Sequence, residues 1–351
     1  MTALRLGYTT GACAAAAAWA AAELLENGQA PSTVAIALPG GEQATLPVLY
    51  SEKKNGVACA AIRKDAGDDP DVTNGVTVVA SVAYTDGGDV VIAGGEGVGV
   101  ATKRGLSVAV GEAAINPVPQ AMIREAVRRA TLRGVQVTIS IPGGEALAEK
   151  TFNPRLGIKG GLSILGTSGR VRPFSCGAIK ESLRCQLNVA ANEGVRRPVL
   201  VPGRIGERAA TRHFQIADGQ MIEVGNEWGL ALDVARSYAF EELLVLGHPG
   251  KLAKLAAGDW DTHSSRSASP LSWLSQMASE IAGRALFKLP TVEGVVSVLA
   301  EDERRRFGVE LAGRIRSAVI CRTGNKIKIA VVLINMHGDI LGGDGDTKSW
   351  T

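Results

Sequence analysis

Residues able to do chemistry gather in a few stretches of this 351-residue sequence. "KDAGDDPDVTNG" (Lys64–Gly75) packs Asp65, Asp68, Asp69 and Asp71 into one loop that ends at a strand. Carboxylates at that density suit a general base, a metal site or a polar clamp, and equally a solvated turn bonding its own backbone. A calcium loop is excluded, because alternate ligands followed by a bidentate glutamate are missing. "GHPGKLAKLAAGDWDTHSS" (Gly247–Ser265) holds two of the four histidines. His248 leaves a strand end at a helix N-terminus, and Lys251 and Lys254 fall on adjacent faces of the helix. Thr262, His263 and Ser264 follow. Imidazoles beside two lysines at such an edge suit an anionic ligand, although a lone histidine is as readily a cap or a packed ring.

"NPRLGIKGGLSILGTSGRVRPFS" (Asn153–Ser175) carries five glycines and three arginines. Its "GTSG" offers bare backbone to a ligand, but it is neither G-x-G-x-x-G nor a P-loop, so turns of positive φ explain it equally well. Two more glycine loops, "GYTTG" (Gly7–Gly11) and "GGEGVGVATKRGL" (Gly94–Leu106, with Thr102, Lys103 and Arg104), would each pass alone for a cap or a turn. No H-E-x-x-H or G-x-S-x-G occurs, which leaves zinc-protease and hydrolase readings without support.

The elements that must hold these loops change rhythm along the chain. Thr9 or Thr10 can cap a helix through the alanines to about Asn27, with Gly28 as its stop. Strands follow at Thr33–Leu38, Gly56–Lys64, Gly75–Tyr84 and Asp89–Gly94, with "DGGD" (Asp86–Asp89) as a hairpin turn between the last two. A helix over Pro117–Gly134 and a strand over Val135–Ile141 complete an α+β half. Beyond it, "LSIL" (Leu162–Leu165), "PVLV" (Pro198–Val201), "MIEV" (Met221–Val224), "LLVL" (Leu243–Leu246) and "IAVVLI" (Ile329–Ile334) alternate with helical patterns such as Ser175–Gly194. Each ends in a small-residue loop, which predicts a parallel sheet with its ligands at the carboxyl edge. The fold class expected is therefore α/β. An α+β domain with a mixed sheet spans residues 1–155, and a Rossmann-like domain with a mainly parallel sheet spans residues 156–351.

Composition narrows the function. The sequence is 46% hydrophobic and 21% charged, with 38 basic and 35 acidic residues, a net charge of +3 and only 4% aromatic residues. Such balance, with no basic stripe interleaved with aromatics, argues against nucleic acid. No run of about eighteen strongly apolar residues occurs, so no membrane span is expected. Ala12–Ala22 lacks a basic lead and reads as a helix rather than a signal peptide. The five cysteines, Cys13, Cys59, Cys176, Cys185 and Cys321, are scattered and never spaced C-x-x-C, which suits a reducing cytoplasm and small buried thiols.

Taken in order, "GYTTG…AAAAA", "DDPDVTNG", "GEGVG…TKRGL", "KTFNPRLGIKGGLSILGTSG" and, more loosely, "GHPGKLAKLAAGDWDTHS" resemble the cobalt-precorrin-5B C1-methyltransferase family (CbiD) of cobalamin biosynthesis. The resemblance spans residues 4 to about 265. It implies methyl transfer from S-adenosylmethionine to C1 of a ring-contracted cobalt tetrapyrrole, giving cobalt-precorrin-6A by the anaerobic-type route. Cobalt arrives with the substrate, so no protein metal site is expected. An in-line displacement at a sulfonium methyl asks the protein mainly to align donor and acceptor and to exclude water. Should the macrocycle need a base, Asp68, Asp69, Asp71, His248 and His263 are the candidates. Lys103, Arg170, Arg172, Lys251 and Lys254 are expected to meet the substrate's carboxylates, with Ser264 beside them. Gly160, Gly161, Ser163, Gly166, Thr167 and Gly169, with Thr9 and Thr10, are the expected cofactor cradle. The chain departs from the family pattern after "THS", where "SRSASPLS" brings Arg266 but no acid. Partners beyond the tetrapyrrole are a second copy of the chain or transient contacts with neighbouring pathway enzymes. A non-catalytic corrinoid carrier is the rival reading. A nicotinamide oxidoreductase is disfavoured by the absence of G-x-G-x-x-G and of a ribose-binding acid about twenty residues beyond it.

Overall fold

The computed structural model describes residues 4–173, 175–286 and 289–351, and nothing is said of the side chain of Cys176. The chain forms two compact units, Met1–Ala178 and Ile179–Thr351. Among the described residues no helix is long and apolar enough to cross a membrane.

The first unit is built around the helix Thr10–Asn27. Thr9 Oγ1 accepts from Ala12 N at 3.2 Å, and Gly28 ends the helix at φ 76° by donating to Leu24 O. Ala12–Ala18 and Ala20–Ala22 are fully buried, so the helix is enclosed on almost every side. Side chains of one carbon suit this, because they lose no rotamer freedom and let sheet and neighbouring helix come close. The five-stranded sheet against it runs Tyr50–Lys54, Val57–Arg63, Thr77–Tyr84, Val135–Ser140 and Val90–Gly94. Alternation turns Ala58, Ala60 and Ile62, then Val78, Ala80 and Val82, then Val135, Val137 and Ile139 into the same core. The helix Pro117–Ala130 adds Met122, Ile123, Ala126 and Val127.

Two expectations for this half change. "DGGD" is not a hairpin turn between paired strands, because Val135–Ser140 inserts between Thr77–Tyr84 and Val90–Gly94. The pairing of Val90–Gly94 with Val135–Ser140 is parallel, which the intervening helix permits as a crossover. "LSIL" is not a strand of the parallel sheet either. Leu162 and Ile164 bridge to Val98 and Ile115, Ile158–Lys159 pairs with Val100–Ala101, and Arg170–Val171 pairs with Gly7–Tyr8. These pairings hold residues 158–171 in the first unit, and the two compact units divide after Ala178, where a division at 155/156 was expected. A glycine-rich segment with short apolar runs has the local look of a sheet edge, and only its long-range partners decide the matter.

In the second unit Met221–Glu223, Val199–Val201, Glu242–Gly247 and Lys328–Ile334 lie side by side and parallel, and Ile340–Asp344 closes the edge antiparallel. Counted within this unit the order is 2-1-3-4-5, one of the doubly wound orders, whose direction reverses beside the first strand. Leu200, Ile222, Leu243, Val245, Ile329 and Val331 face the helices Cys176–Asn192, Trp228–Ala235, Pro249–Ala256, Leu271–Ala282 and Glu301–Thr323. Val201, Leu244, Leu246, Val332 and Ile334 face the helix Arg204–His213 and Trp350. Strands buried on both faces read as near-continuous apolar runs, which is why these four were visible in the sequence.

Candidate functional site

In the first unit the quoted loops converge on residues 5–11. Tyr8 N donates to Asp65 O at 2.7 Å, Thr9 N to Gly169 O at 3.0 Å and Gly11 N to Leu165 O at 3.1 Å. The acidic loop and the glycine segment thus flank one short strand. The loop Gly94–Leu106 joins from the far side of the glycine segment, where Gly99 N donates to Leu162 O and Leu162 N to Gly97 O, both at 2.9 Å.

The expected cofactor cradle is largely taken up by this interlocking. Thr9 Oγ1 caps the alanine helix. Thr10 Oγ1 accepts from Leu165 N at 2.9 Å and donates to Ser163 O at 3.1 Å. Ser163 Oγ donates to Asn153 Oδ1 at 3.2 Å, and Asn153 Nδ2 to Gly161 O at 2.9 Å. Thr9, Thr10, Ser163 and Asn153 are all buried. The Thr9 and Thr10 hydroxyls and the Asn153 amide nitrogen satisfy backbone that would otherwise be stranded in the interior, and Ser163 holds the Asn153 amide in place. Gly166 sits at φ 130°, where a Cβ would lie 2.4 Å from Thr9 Oγ1, and a Cβ on Gly161 would lie 2.2 Å from Gly97 O. Close approach of neighbouring groups is enough to require glycine at both positions. Gly169 packs on Leu38, while Gly160 and the exposed Thr167 have open space or solvent beside them.

The acidic loop is braced at both ends. The buried Lys64 ammonium donates to Asp71 Oδ2 at 2.7 Å, and Thr73 donates to Asp71 Oδ1 through both N and Oγ1 at 2.7 Å. Burial alone would push the Asp71 carboxyl up, but Lys64 and Thr73 together hold it below the usual range. Asp68 Oδ2 accepts from Arg5 N at 2.7 Å, and the Arg5 guanidinium pairs with Asp65. Asp69 is half-buried in the same turn. Arg170 lies over the Tyr8 ring at 4.4 Å and pairs with Glu42, Arg172 is exposed, and Lys103 lays its stem along Gly157. The buried Cys13 thiol, close to Lys64, is pushed up to about 12 by burial.

In the second unit the strand ends gather a different set. His248 caps the helix Pro249–Ala256: its Nδ1 accepts from Gly250 N at 3.0 Å and its Nε2 donates to Glu293 Oε2 at 2.8 Å. Both ring nitrogens are engaged, so the ring is held as a cap and neither nitrogen is left open toward a ligand. Lys254 is buried and donates to Thr262 O at 3.1 Å and Ser267 Oγ at 2.9 Å, pinning the loop that follows instead of meeting solvent. Lys251 is half-buried, and burial, with Lys254 close by, lowers its ammonium below the usual lysine range against the pull of Glu223. His263 and Ser264 are exposed, with His263 Nδ1 bonded to Ser265 Oγ at 2.8 Å. Arg266, which follows "THS", pairs with Asp261 at 2.9 Å and reaches the buried Glu227 at 3.8 Å.

Reading the sequence passed over Lys64, Glu223 and Glu293. Lys64 stood in the quoted acidic loop, and the in-out alternation of Val57–Arg63 was its signal. Glu223 ends the strand Met221–Glu223, where an acid closes an apolar run. Glu293 had no local signal, because its partner is 45 residues away. Among the described residues no three of His, Cys, Asp and Glu gather closely enough to hold a metal ion.

The family model CbiD matches residues 1–173, and the model "CbiD, C-terminal domain" matches residues 261–345. A cobalt-precorrin-5B C(1)-methyltransferase of Syntrophotalea carbinolica is 51% identical over 350 residues and is covered, like this chain, to 100%. One bearing the same name from Methanocaldococcus jannaschii is 42% identical, with 96% of each chain covered. A 1.9 Å crystal structure described as cobalamin biosynthesis protein (cbiD) from Archaeoglobus fulgidus is 33% identical, covers 75% of this chain and 83% of that one, and has a TM-score of 0.41. With both models matched and identity carried through the full length, the chain belongs to the CbiD family.

Proposed function

We propose that this protein is a cobalt-precorrin-5B C1-methyltransferase of cobalamin biosynthesis that uses S-adenosylmethionine. The observation that carries this reading is the 51% identity to a relative of that name over the whole of both chains. The residues of the second unit fit the cofactor at one place. Gly203, at φ 153°, follows the first strand and opens the helix Arg204–His213. A Cβ built there would meet one heavy atom within 4 Å, Glu223 Oε1 at 3.6 Å. Bare backbone beside a strand-end carboxylate, about twenty residues beyond that glycine and at the reversal of strand order, suits a ribose, so the acid expected to be missing is offered by Glu223, although no G-x-G-x-x-G precedes it. We therefore move the cofactor from the glycine segment to Gly203 and Glu223.

When bound, S-adenosylmethionine supplies a methyl already activated by the sulfonium, with the C–S electron pair leaving on sulfur. The chain needs no nucleophile for this. Glu223 would accept from the ribose hydroxyls and orient the nucleoside, and Gly203 would let it approach the backbone. Lys251, half-buried near Glu223, presents an ammonium at the same edge. Holding the two reactants in line can contribute on the order of 7 kcal/mol or more to the barrier reduction.

Calorimetric titration with S-adenosylhomocysteine tests the reading against a carrier, which needs no such cofactor. Binding that falls at least about tenfold in Glu223→Ala supports the placement, on the scale of a hydrogen bond to a charged group. A wild-type chain that binds none, with or without tetrapyrrole, contradicts the methyltransferase reading.

A further inference from the structure

The helix Arg204–His213 turns Ile205, Arg208, Ala209 and Arg212 to one side, the i, i+3, i+4, i+7 spacing of a single face. Against that face stands the turn Met336–His337–Gly338, just past the end of the strand Lys328–Ile334. Together they enclose an open cavity of about 330 Å³. The turn is fixed in place. His213 Nε2 is bonded to Gly338 O at 2.9 Å, and Asn335 Oδ1 accepts from His337 N at 2.9 Å and Asp339 N at 2.8 Å. The cavity is therefore formed in advance.

Its lining has two characters. Ile205 and the half-exposed Met336 give an apolar floor. Arg208 and Arg212 give guanidiniums, and Arg204 continues the same stripe one turn earlier. Arg204 and Arg208 engage no carboxylate among the described residues, and Arg212 shares Asp339 at the rim at 3.1 Å. Three like charges at successive i, i+4 positions weaken a helix, and those nearest its N-terminus also oppose the helix dipole. The stripe is thus poorly explained by stability and well explained by an anion bound beside it.

Resting on the function proposed above, we infer that this cavity receives one edge of the tetrapyrrole, with the flat ring on Ile205 and Met336 and peripheral acetate and propionate carboxylates on Arg208 and Arg212. Pockets of this size take an edge rather than a whole macrocycle. The site is distinct from Gly203 and Glu223, which lie at the start of the same helix and the end of the neighbouring strand.

The test uses the full chain and two stable corrinoids, cobyrinic acid with free carboxylates and cobinamide with amides, followed by absorbance titration. The wild type should prefer cobyrinic acid by at least about tenfold, and added salt should weaken that preference. R208A/R212A should lose the preference while binding S-adenosylhomocysteine as before. Equal binding of both corrinoids by the wild type, or an unchanged preference in the double variant, overturns the inference. Methylation assays separate it from the function. A wild-type KM for the tetrapyrrole in R208A/R212A sinks the pocket alone. A wild type that methylates nothing, while the variant loses cobyrinic acid, sinks the methyltransferase reading and leaves the pocket standing.

Discussion

Asp71 joins the candidate bases by sequence, yet the structure makes it the counterion of a buried lysine, and the two roles predict different outcomes for Asp71→Asn. The Lys64 side chain is 1% exposed and the Asp71 side chain 24%. Removing the charge from one partner leaves a buried ammonium facing an amide, which costs about 3–5 kcal/mol for such pairs. The partial exposure of Asp71 places the cost near the lower end, about 3 kcal/mol. A unit of this size shifts by about 2–4 °C per kcal/mol, so the transition of the first unit should fall by about 6–12 °C. Calorimetry at pH 7 measures this directly. Lys64→Met combined with Asp71→Asn should recover part of the loss, because neither charge is then stranded. The sign with pH is fixed too. A carboxyl held below its unfolded value stabilises above about pH 3.9 and loses that contribution as pH falls through its folded value, so wild type and Asp71→Asn should converge in acid. Turnover per folded molecule should drop less than the roughly hundredfold expected on losing a general base. A transition within about 2 °C of the wild type at pH 7, or additive single losses in the double variant, would refute the brace.

Three further predictions rest on particular contacts. Gly97→Ala would place a Cβ 1.9 Å from Ile141 O at φ 69°, so the protein should accumulate mainly as insoluble material, checked by soluble yield and circular dichroism. Thr9→Val removes the hydroxyl that caps the alanine helix, and about 0.5–2 kcal/mol should be lost in a denaturant titration. Lys251→Met should raise the thermal midpoint of the second unit at pH 7. That gain should vanish above about pH 10.4, where the unfolded lysine is neutral as well.

What the sequence made legible follows from which interactions are local. The alanine helix carried its own cap and its own stop, and the helix Pro117–Ala130 carried its proline start and apolar spacing. The parallel strands announced themselves as apolar runs ending in small-residue loops. The place of "LSIL" was hidden, because its partners Val98 and Ile115 are far away in sequence. The site was harder still. Thr9, Thr10 and Ser163 have the residue types of a cradle, but Thr9 caps a helix, Thr10 bonds loop backbone and Ser163 bonds Asn153 Oδ1, and hydrogen-bond direction is invisible in a sequence. His248 was well placed at a strand end, yet only Glu293 reveals that its second nitrogen is engaged. Glu223 needed the strand order, because an acid ending a strand means little until Gly203 lies beside it.

The most direct measurement supplies the purified chain with S-adenosylmethionine carrying a ¹³C-labelled methyl and with cobalt-precorrin-5B, then locates the label by NMR. The account predicts one labelled methyl on C1 of the macrocycle and S-adenosylhomocysteine in equal amount. Unlabelled tetrapyrrole recovered from a folded chain that binds both ligands would contradict it.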